Sequence, residues 1–91
     1  MLRIFHATAV DGSVVLRLEG KVRGPWVDEL RELSSEILQK PATRLVLDLS
    51  EVSFIDTDGL DLLRELSSRN VSLNNCSLLV TQQLKSLERK G

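Results

Sequence analysis

Two short runs of apolar and polar residues open the chain and flank the dipeptide Asp11-Gly12. This dipeptide between two such runs predicts a β-hairpin, because both residues tolerate the backbone angles of a tight turn. We therefore predict antiparallel strands at about residues 2–10 and 13–19. In the second strand, alternate residues place three apolar side chains on one face, which predicts one buried side: Val14, Leu16 and Leu18.

The next segment has the apolar period of an amphipathic helix. Gly24 and Pro25 favour a helix start at this point, and Lys40 followed by Pro41 favours an end. Spacings of four, three and four residues give the segment one apolar stripe: Trp26, Leu30, Leu33 and Ile37.

Residues 44–50, RLVLDLS, form an almost continuously apolar run. Such a run is typical of a strand that is covered on both faces in a parallel part of a sheet. We predict that it is the central strand and that residues 51–54, EVSF, are a short link after it.

A second amphipathic helix is predicted over residues 59–70, with Leu60 at the border of its apolar stripe. Asn70 is expected to end this helix in the left-handed conformation. The inward-facing residues of the helix are Gly59, Leu62, Leu63 and Leu66. The residues on its polar side are Asp61, Arg64, Glu65 and Ser68.

Residues 71–76, VSLNNC, predict a fourth strand, and Cys76 at its end is interpreted as a small buried apolar residue. A third helix is expected to follow, with Ser77 as its cap and an inner stripe: Val80, Leu84 and Leu87. The element order predicts a single α/β domain over residues 1–91. Its four-stranded mixed sheet combines the antiparallel hairpin with parallel strands, and about three helices pack on it.

The composition narrows the possible functions. The net charge of −1 provides no basic surface for nucleic acid, and three aromatic residues provide no face for stacking bases. The single cysteine cannot form an internal disulfide, and no apolar run approaches the length of a membrane span or a signal-peptide core. We expect a cytoplasmic protein that neither binds nucleic acid nor inserts into a membrane.

The segment with the most chemistry is Asp56-Thr57-Asp58-Gly59, which is predicted to follow the central strand. Open α/β sheets place their functional sites at this edge. An Asp-x-Asp pair occurs in haloacid-dehalogenase-like phosphatases, but those enzymes also need a lysine beside the phosphate and further acids for magnesium. The only later acids, apart from the one at position 61, are Glu65 and Glu88, at helix positions that we expect to be exposed.

A calcium-binding loop is also excluded, because Asp61 occupies the position of the required glycine and Ser67 that of the closing glutamate. We therefore predict no catalytic residue, no metal and no cofactor. Capping of a helix explains part of the pattern, since each Asp or Thr at a helix start contributes roughly 0.5–2 kcal/mol. Capping does not require all the polar residues of this segment, so some of the charge is available for recognition.

The stretch LVLDLSEVSFIDTDGLDLL, residues 45–63, resembles the signature of STAS domains, the anti-sigma factor antagonist family. In that signature an apolar strand ends in Asp-Leu, and Asp-Ser/Thr-x-Gly-Leu opens the next helix. The resemblance covers most of the chain. It implies a bacterial, non-enzymatic module for regulatory protein–protein interaction, whose partner is an anti-sigma factor or a kinase-like protein; it leaves the oligomeric state open.

The resemblance also implies which residues contact the partner. In phosphorylated members of the family, the residue before the glycine is a serine that a kinase modifies. Asp58 occupies this position; it cannot accept phosphate in that role, and it already supplies part of the negative charge. The usual switch is therefore expected to be absent, and Thr57 is the remaining candidate for phosphorylation. The expected contact residues are Asp56, Thr57, Asp58 and Gly59 in the loop and Leu60, Asp61 and Arg64 in the helix.

An alternative function stays open within the same family. Some STAS proteins with Asp-Thr-x-Gly are small cytoplasmic subunits of lipid-transporting ABC complexes, and Thr57 fits that pattern. Both functions would use the same surface.

Overall fold

The computed structural model describes residues 2–76 and 81–82. Its elements in chain order are β1 (Leu2–Thr8), β2 (Val14–Val22), α1 (Pro25–Leu38), β3 (Leu45–Ile55), α2 (Thr57–Ser68) and β4 (Ser72–Asn74). The strands form one sheet in the order β1-β2-β3-β4. β1 pairs with β2 antiparallel, whereas β2 with β3 and β3 with β4 are parallel. The predicted mixed α/β sheet is confirmed.

The third predicted helix, with Ser77, Val80, Leu84 and Leu87, lies outside the described residues, apart from the helical backbone of Thr81 and Gln82. Within the described ranges, no helix is long and apolar enough to cross a membrane.

The hairpin forms where Asp11-Gly12 predicted it. Gly12 has a positive φ of 91°, and the Asp11 carboxylate accepts a hydrogen bond from the Ser13 N–H at 2.9 Å. This hydrogen bond lowers the pKa of Asp11. The turn begins earlier than expected, because the Gly12 N–H donates to the carbonyl of Ala9. β1 therefore ends at Thr8 rather than near residue 10.

The core lies between one face of the sheet and the two helices, which also contact each other. On β2 and β3, alternate leucines point to this face and are buried: Leu16, Leu18, Leu45, Leu47 and Leu49. Each such leucine contributes about 1.5–3 kcal/mol relative to an exposed one. Val46 and Asp48 point to the opposite face and are half-buried. The described elements thus cover one face of β3 fully and the other in part, whereas the sequence predicted full cover on both.

β3 is longer than predicted, because residues 51–54 continue the strand instead of forming a link. Two irregularities in its pairing with β2 each add one residue to β3, the first after Asp48 and the second after Val52. β-Bulges of this kind break the alternation of buried and exposed side chains. Buried residues then recur at every third position, at Leu49, Val52 and Ile55. A prediction that relies on alternating apolar and polar residues therefore ends this strand too early.

β4 is attached to β3 through a side chain as well as the backbone. The Asp48 carboxylate accepts hydrogen bonds from the Ser50 N–H at 3.0 Å and from the Asn75 amide at 3.1 Å. These bonds, that from Ser50 first, lower the pKa of Asp48. Asn75 follows the strand with a positive φ of 58°. Asp48 thus fixes the turn by which the chain leaves the sheet, and Cys76 then packs half-buried against the core.

α2 begins and ends two residues earlier than predicted, but it is stopped at the expected residue. Asn70 has a φ of 68°, and the Val71 N–H donates to the carbonyl of Leu66. This is the hydrogen bond of a Schellman motif, in which a left-handed residue stops a helix. The predicted left-handed stop is confirmed.

Leu60 lies in the core and not at the border of the apolar stripe. Its side chain is 8% exposed and belongs to the same cluster as Leu62 and Leu63. Leu63 follows Leu60 by three residues, so the two side chains lie on the same side of α2 and are buried together. The prediction that Leu60 lies at the border of the apolar stripe is therefore wrong.

We expect Leu60→Ala to lower the free energy of unfolding by about 2–5 kcal/mol, because it removes a buried side chain and leaves a cavity. Arg64→Ala, at an exposed position one turn after Leu60, should change the free energy of unfolding by about 0.5 kcal/mol or less. Urea unfolding of both variants measures the difference. Equal, small effects would contradict the burial of Leu60.

Candidate functional site

Asp56 caps the amino end of α2. Its backbone is extended, with φ −84° and ψ 179°, and its Oδ1 accepts the Gly59 N–H at 2.7 Å. Its carbonyl accepts the first helical hydrogen bond, from Leu60 at 2.9 Å. A cap of this kind satisfies a backbone donor that has no partner within the helix. Asp56 is thus a residue of the segment that provides the capping expected from the sequence.

The second oxygen of the same carboxylate reaches another loop. Asp56 Oδ2 accepts the Gly24 N–H at 3.0 Å, and the Asp56 N–H donates to the carbonyl of Val22 at 3.1 Å. Gly24 has φ 56° and ψ −135°, which suits glycine because this region is disfavoured for other residues. Asp56 therefore joins the start of α1 to the start of α2.

The loop between β2 and α1, Arg23 and Gly24, contributes to this site and was not predicted from the sequence. β2 and β3 run parallel, and Val22 pairs with Ile55, so the two strands end side by side. Parallel pairing of these two strands was the signal that could have identified the loop, since carboxyl ends of parallel strands share one edge of a sheet.

Gly59 leaves no room for a side chain. A Cβ at this position would lie 2.8 Å from the Val22 carbonyl oxygen and 2.8 Å from Ile55 Cγ2. The glycine thus allows the first turn of α2 to pack directly against the end of β2. Its role in the site is close packing of the backbone.

The other predicted site residues are exposed: Thr57, Asp58, Asp61 and Arg64. Their spacing along α2 places them on one side of the helix, because residues three, four and seven apart are neighbours. We call this set the outer strip. Leu60 does not belong to it.

The charged residues of the outer strip differ from the neighbouring Glu65 in whether they form an ion pair. Arg31 of α1 binds both carboxylate oxygens of Glu65 at 3.0 Å, on the side where the two helices meet. The pair is exposed and therefore contributes little stability. Among the described residues, Asp58, Asp61 and Arg64 form no ion pair. The outer strip thus presents charged side chains that are exposed and have no ion pair within the described part of the chain.

The Asp56 carboxylate takes part in structural hydrogen bonding. Both oxygens of Asp56 already accept backbone N–H groups. In residues 2–76 and 81–82, no group of three or more His, Cys, Asp or Glu side chains is placed to hold a metal ion.

The model of the STAS domain matches residues 5–90. The chain belongs to the STAS domain family. A comparison with curated proteins found no match.

Solved structures show the same fold. The anti-sigma factor antagonist SpoIIAA in its unphosphorylated form is 24% identical, with a TM-score of 0.67 over 91% of this chain and 82% of that one. The Bacillus cell fate determinant SpoIIAA in its phosphorylated form is 23% identical, with a TM-score of 0.65 over 91% and 81%. An anti-sigma factor antagonist STAS domain from Rhodobacter sphaeroides is 18% identical, with a TM-score of 0.64 over 86% and 94%.

We expect Gly59→Ala to lower the free energy of unfolding by about 1–3 kcal/mol, although alanine favours helices more than glycine does. The new methyl group would displace the Val22 carbonyl, which is hydrogen-bonded to the Asp56 N–H. Ser67→Ala, at an exposed position of the same helix, is the matched control and should be neutral or slightly stabilising. Thermal or urea unfolding gives the comparison; a stabilised Gly59→Ala variant would show that the helix end tolerates a side chain.

Proposed function

We propose that this STAS domain is a cytoplasmic, non-enzymatic regulatory module that binds a protein partner through the outer strip and the loop at residues 56–59. The observation that carries this proposal is that residues with a structural role and exposed charged residues lie next to each other in residues 56–64. Asp56 and Gly59 hold the backbone in place, while neighbouring charged side chains extend into solvent without ion pairs in the described structure.

A rigid surface favours binding, because less conformational freedom is lost when the partner docks. Uncompensated charges steer a partner of complementary charge and select against others. Arg64 adds a residue type that is frequent in the energetically important part of interfaces. These properties support an interaction surface, whereas the engaged oxygens of Asp56 offer no free nucleophile.

The regulatory part of the proposal concerns Asp58. This residue occupies the second position of α2 and is exposed, so its carboxylate lies near the positive end of the helix dipole. One structurally similar protein, SpoIIAA, has been solved in both phosphorylated and unphosphorylated forms. We infer that Asp58 is a fixed charge at the phosphoserine position and holds the module in one binding state.

Thr57 supports the alternative of an accessory subunit of a lipid-transporting ABC complex. Its hydroxyl is exposed at the first helical position and forms no hydrogen bond with any residue that the structure describes, so it is available to a partner. A pull-down with the full chain, followed by mass spectrometry, identifies the captured partner and separates the two functions. An anti-sigma factor or kinase supports the first function, and a transporter ATPase supports the second.

The partner-binding surface is tested with Asp61→Ala combined with Arg64→Ala. Both side chains are exposed, so the fold should be retained while affinity for the captured partner falls at least tenfold. Glu51→Ala with Lys40→Ala removes one acid and one base elsewhere on the surface and is the matched control. Affinity is measured by calorimetry with the purified partner. If the outer-strip variant bound the partner as tightly as the natural protein does, the interface would be assigned to α1 instead.

The fixed charge is tested with Asp58→Ser. The lost charge–dipole interaction should lower stability by about 1 kcal/mol or less, while affinity for the partner should change and a hydroxyl becomes available at the phosphorylation position. Asp28→Ser, which removes an exposed acid from the first turn of α1 outside the outer strip, is the matched control and should leave affinity unchanged. Unchanged affinity in Asp58→Ser would reduce Asp58 to a stabilising charge at the helix end. Kinase-dependent phosphate on Thr57 of the natural protein, with loss of binding, would contradict a module without a switch.

A further inference from the structure

A groove of about 340 Å³ lies between β1 and α1, away from the outer strip. Its apolar lining consists of Leu2 and Ile4 from β1 and Leu33 from α1. The groove exists because α1 packs mainly over β2 and β3, which leaves the inner face of β1 only partly covered. Ile4 and Leu33 are half-buried as a result.

Three glutamates line the helical wall of this groove: Glu29, Glu32 and Glu36. They lie three, four and seven residues apart, on the side of α1 that also presents Leu33. All three are exposed, and none forms an ion pair with a described residue. The nearest cation in sequence, Arg31, binds Glu65 on the side of α1 that faces α2. Like charges at these spacings repel one another, so a cation in the groove would relieve that repulsion.

The third feature is the edge of the sheet. β1 has β2 as its only strand neighbour within the described residues, so the other side of its backbone is free to pair. An extended peptide can add to such an edge through backbone hydrogen bonds, while alternate side chains enter a neighbouring pocket. β1 turns Leu2 and Ile4 toward the groove, and Arg3 between them points to the other face.

We propose that the groove and the free edge of β1 bind an extended segment of a protein partner whose inward side chains are apolar or basic. Apolar side chains contact Ile4 and Leu33, and lysine or arginine side chains reach the three glutamates. This second surface lies on the opposite side of α1 from Glu65 and the outer strip. It is independent of the function proposed above.

The probe is a synthetic peptide as long as β1 that alternates threonine with valine or lysine, so that one face is both apolar and basic. In an NMR titration of the full chain, backbone shifts are expected at Leu2, Ile4 and Leu33. Glu32→Gln with Glu36→Gln should weaken binding at least tenfold, and added salt should weaken it further. Asp28→Asn with Glu51→Gln, at exposed positions outside the groove, should bind as the natural protein does. Equal loss in both double variants would overturn the site.

Backbone pairing is tested with two N-methylated forms of the peptide, methylated at odd or at even residues. Because only alternate N–H groups of an added strand point to its neighbour, one form should lose binding and the other should retain it. Equal binding of both forms would overturn strand addition. Shifts confined to residues 56–64 would overturn the groove and assign the peptide to the outer strip.

Discussion

At the carboxyl end of the sheet, two loops share a single carboxylate. Asp56 accepts the Gly59 N–H with one oxygen and the Gly24 N–H with the other, and its own N–H donates to Val22. The carboxylate thus satisfies one backbone donor in each loop and ties the two loops together. The close packing at Gly59 depends on the same contact, since that glycine touches the residue to which Asp56 is bound. The start of α2 and the orientation of its exposed side follow from this arrangement.

Local patterns in the sequence predicted most of the elements. The turn at Asp11-Gly12, the limits of α1 and the left-handed Asn70 were predictable because each depends on the preferences of a few adjacent residues. The full length of β3 was not, because two added residues replace the alternation by which a strand is recognised. Similarly, the burial of Leu60 depends on how α2 lies on the rest of the fold, which no periodicity within α2 records.

The candidate site could be predicted in its position but only partly in its composition. The acids of residues 56–61 indicated the correct edge of the sheet, yet the sequence did not show that Asp56 also binds the loop before α1. Asp56 is distinguished by a donor at Gly24, thirty-two residues earlier in the chain. Asp58 and Asp61 differ from it only in facing solvent. Such long-range partners are visible once strand order is known, and the STAS family assignment is consistent with that order.

The parallel pairing of β2 with β3 also has a consequence for folding. The hairpin of β1 and β2 joins residues that are close in the chain and can form within microseconds. Val14 with Leu45 and Val22 with Ile55 are instead separated by roughly thirty residues, so this pairing must wait until a long loop that contains α1 has closed. The bridge from Asp56 to Gly24 lies at the far end of that pairing. A nascent or partly folded chain therefore lacks the surface formed by the two loops, and a partner that recognises it binds only chains whose sheet is complete.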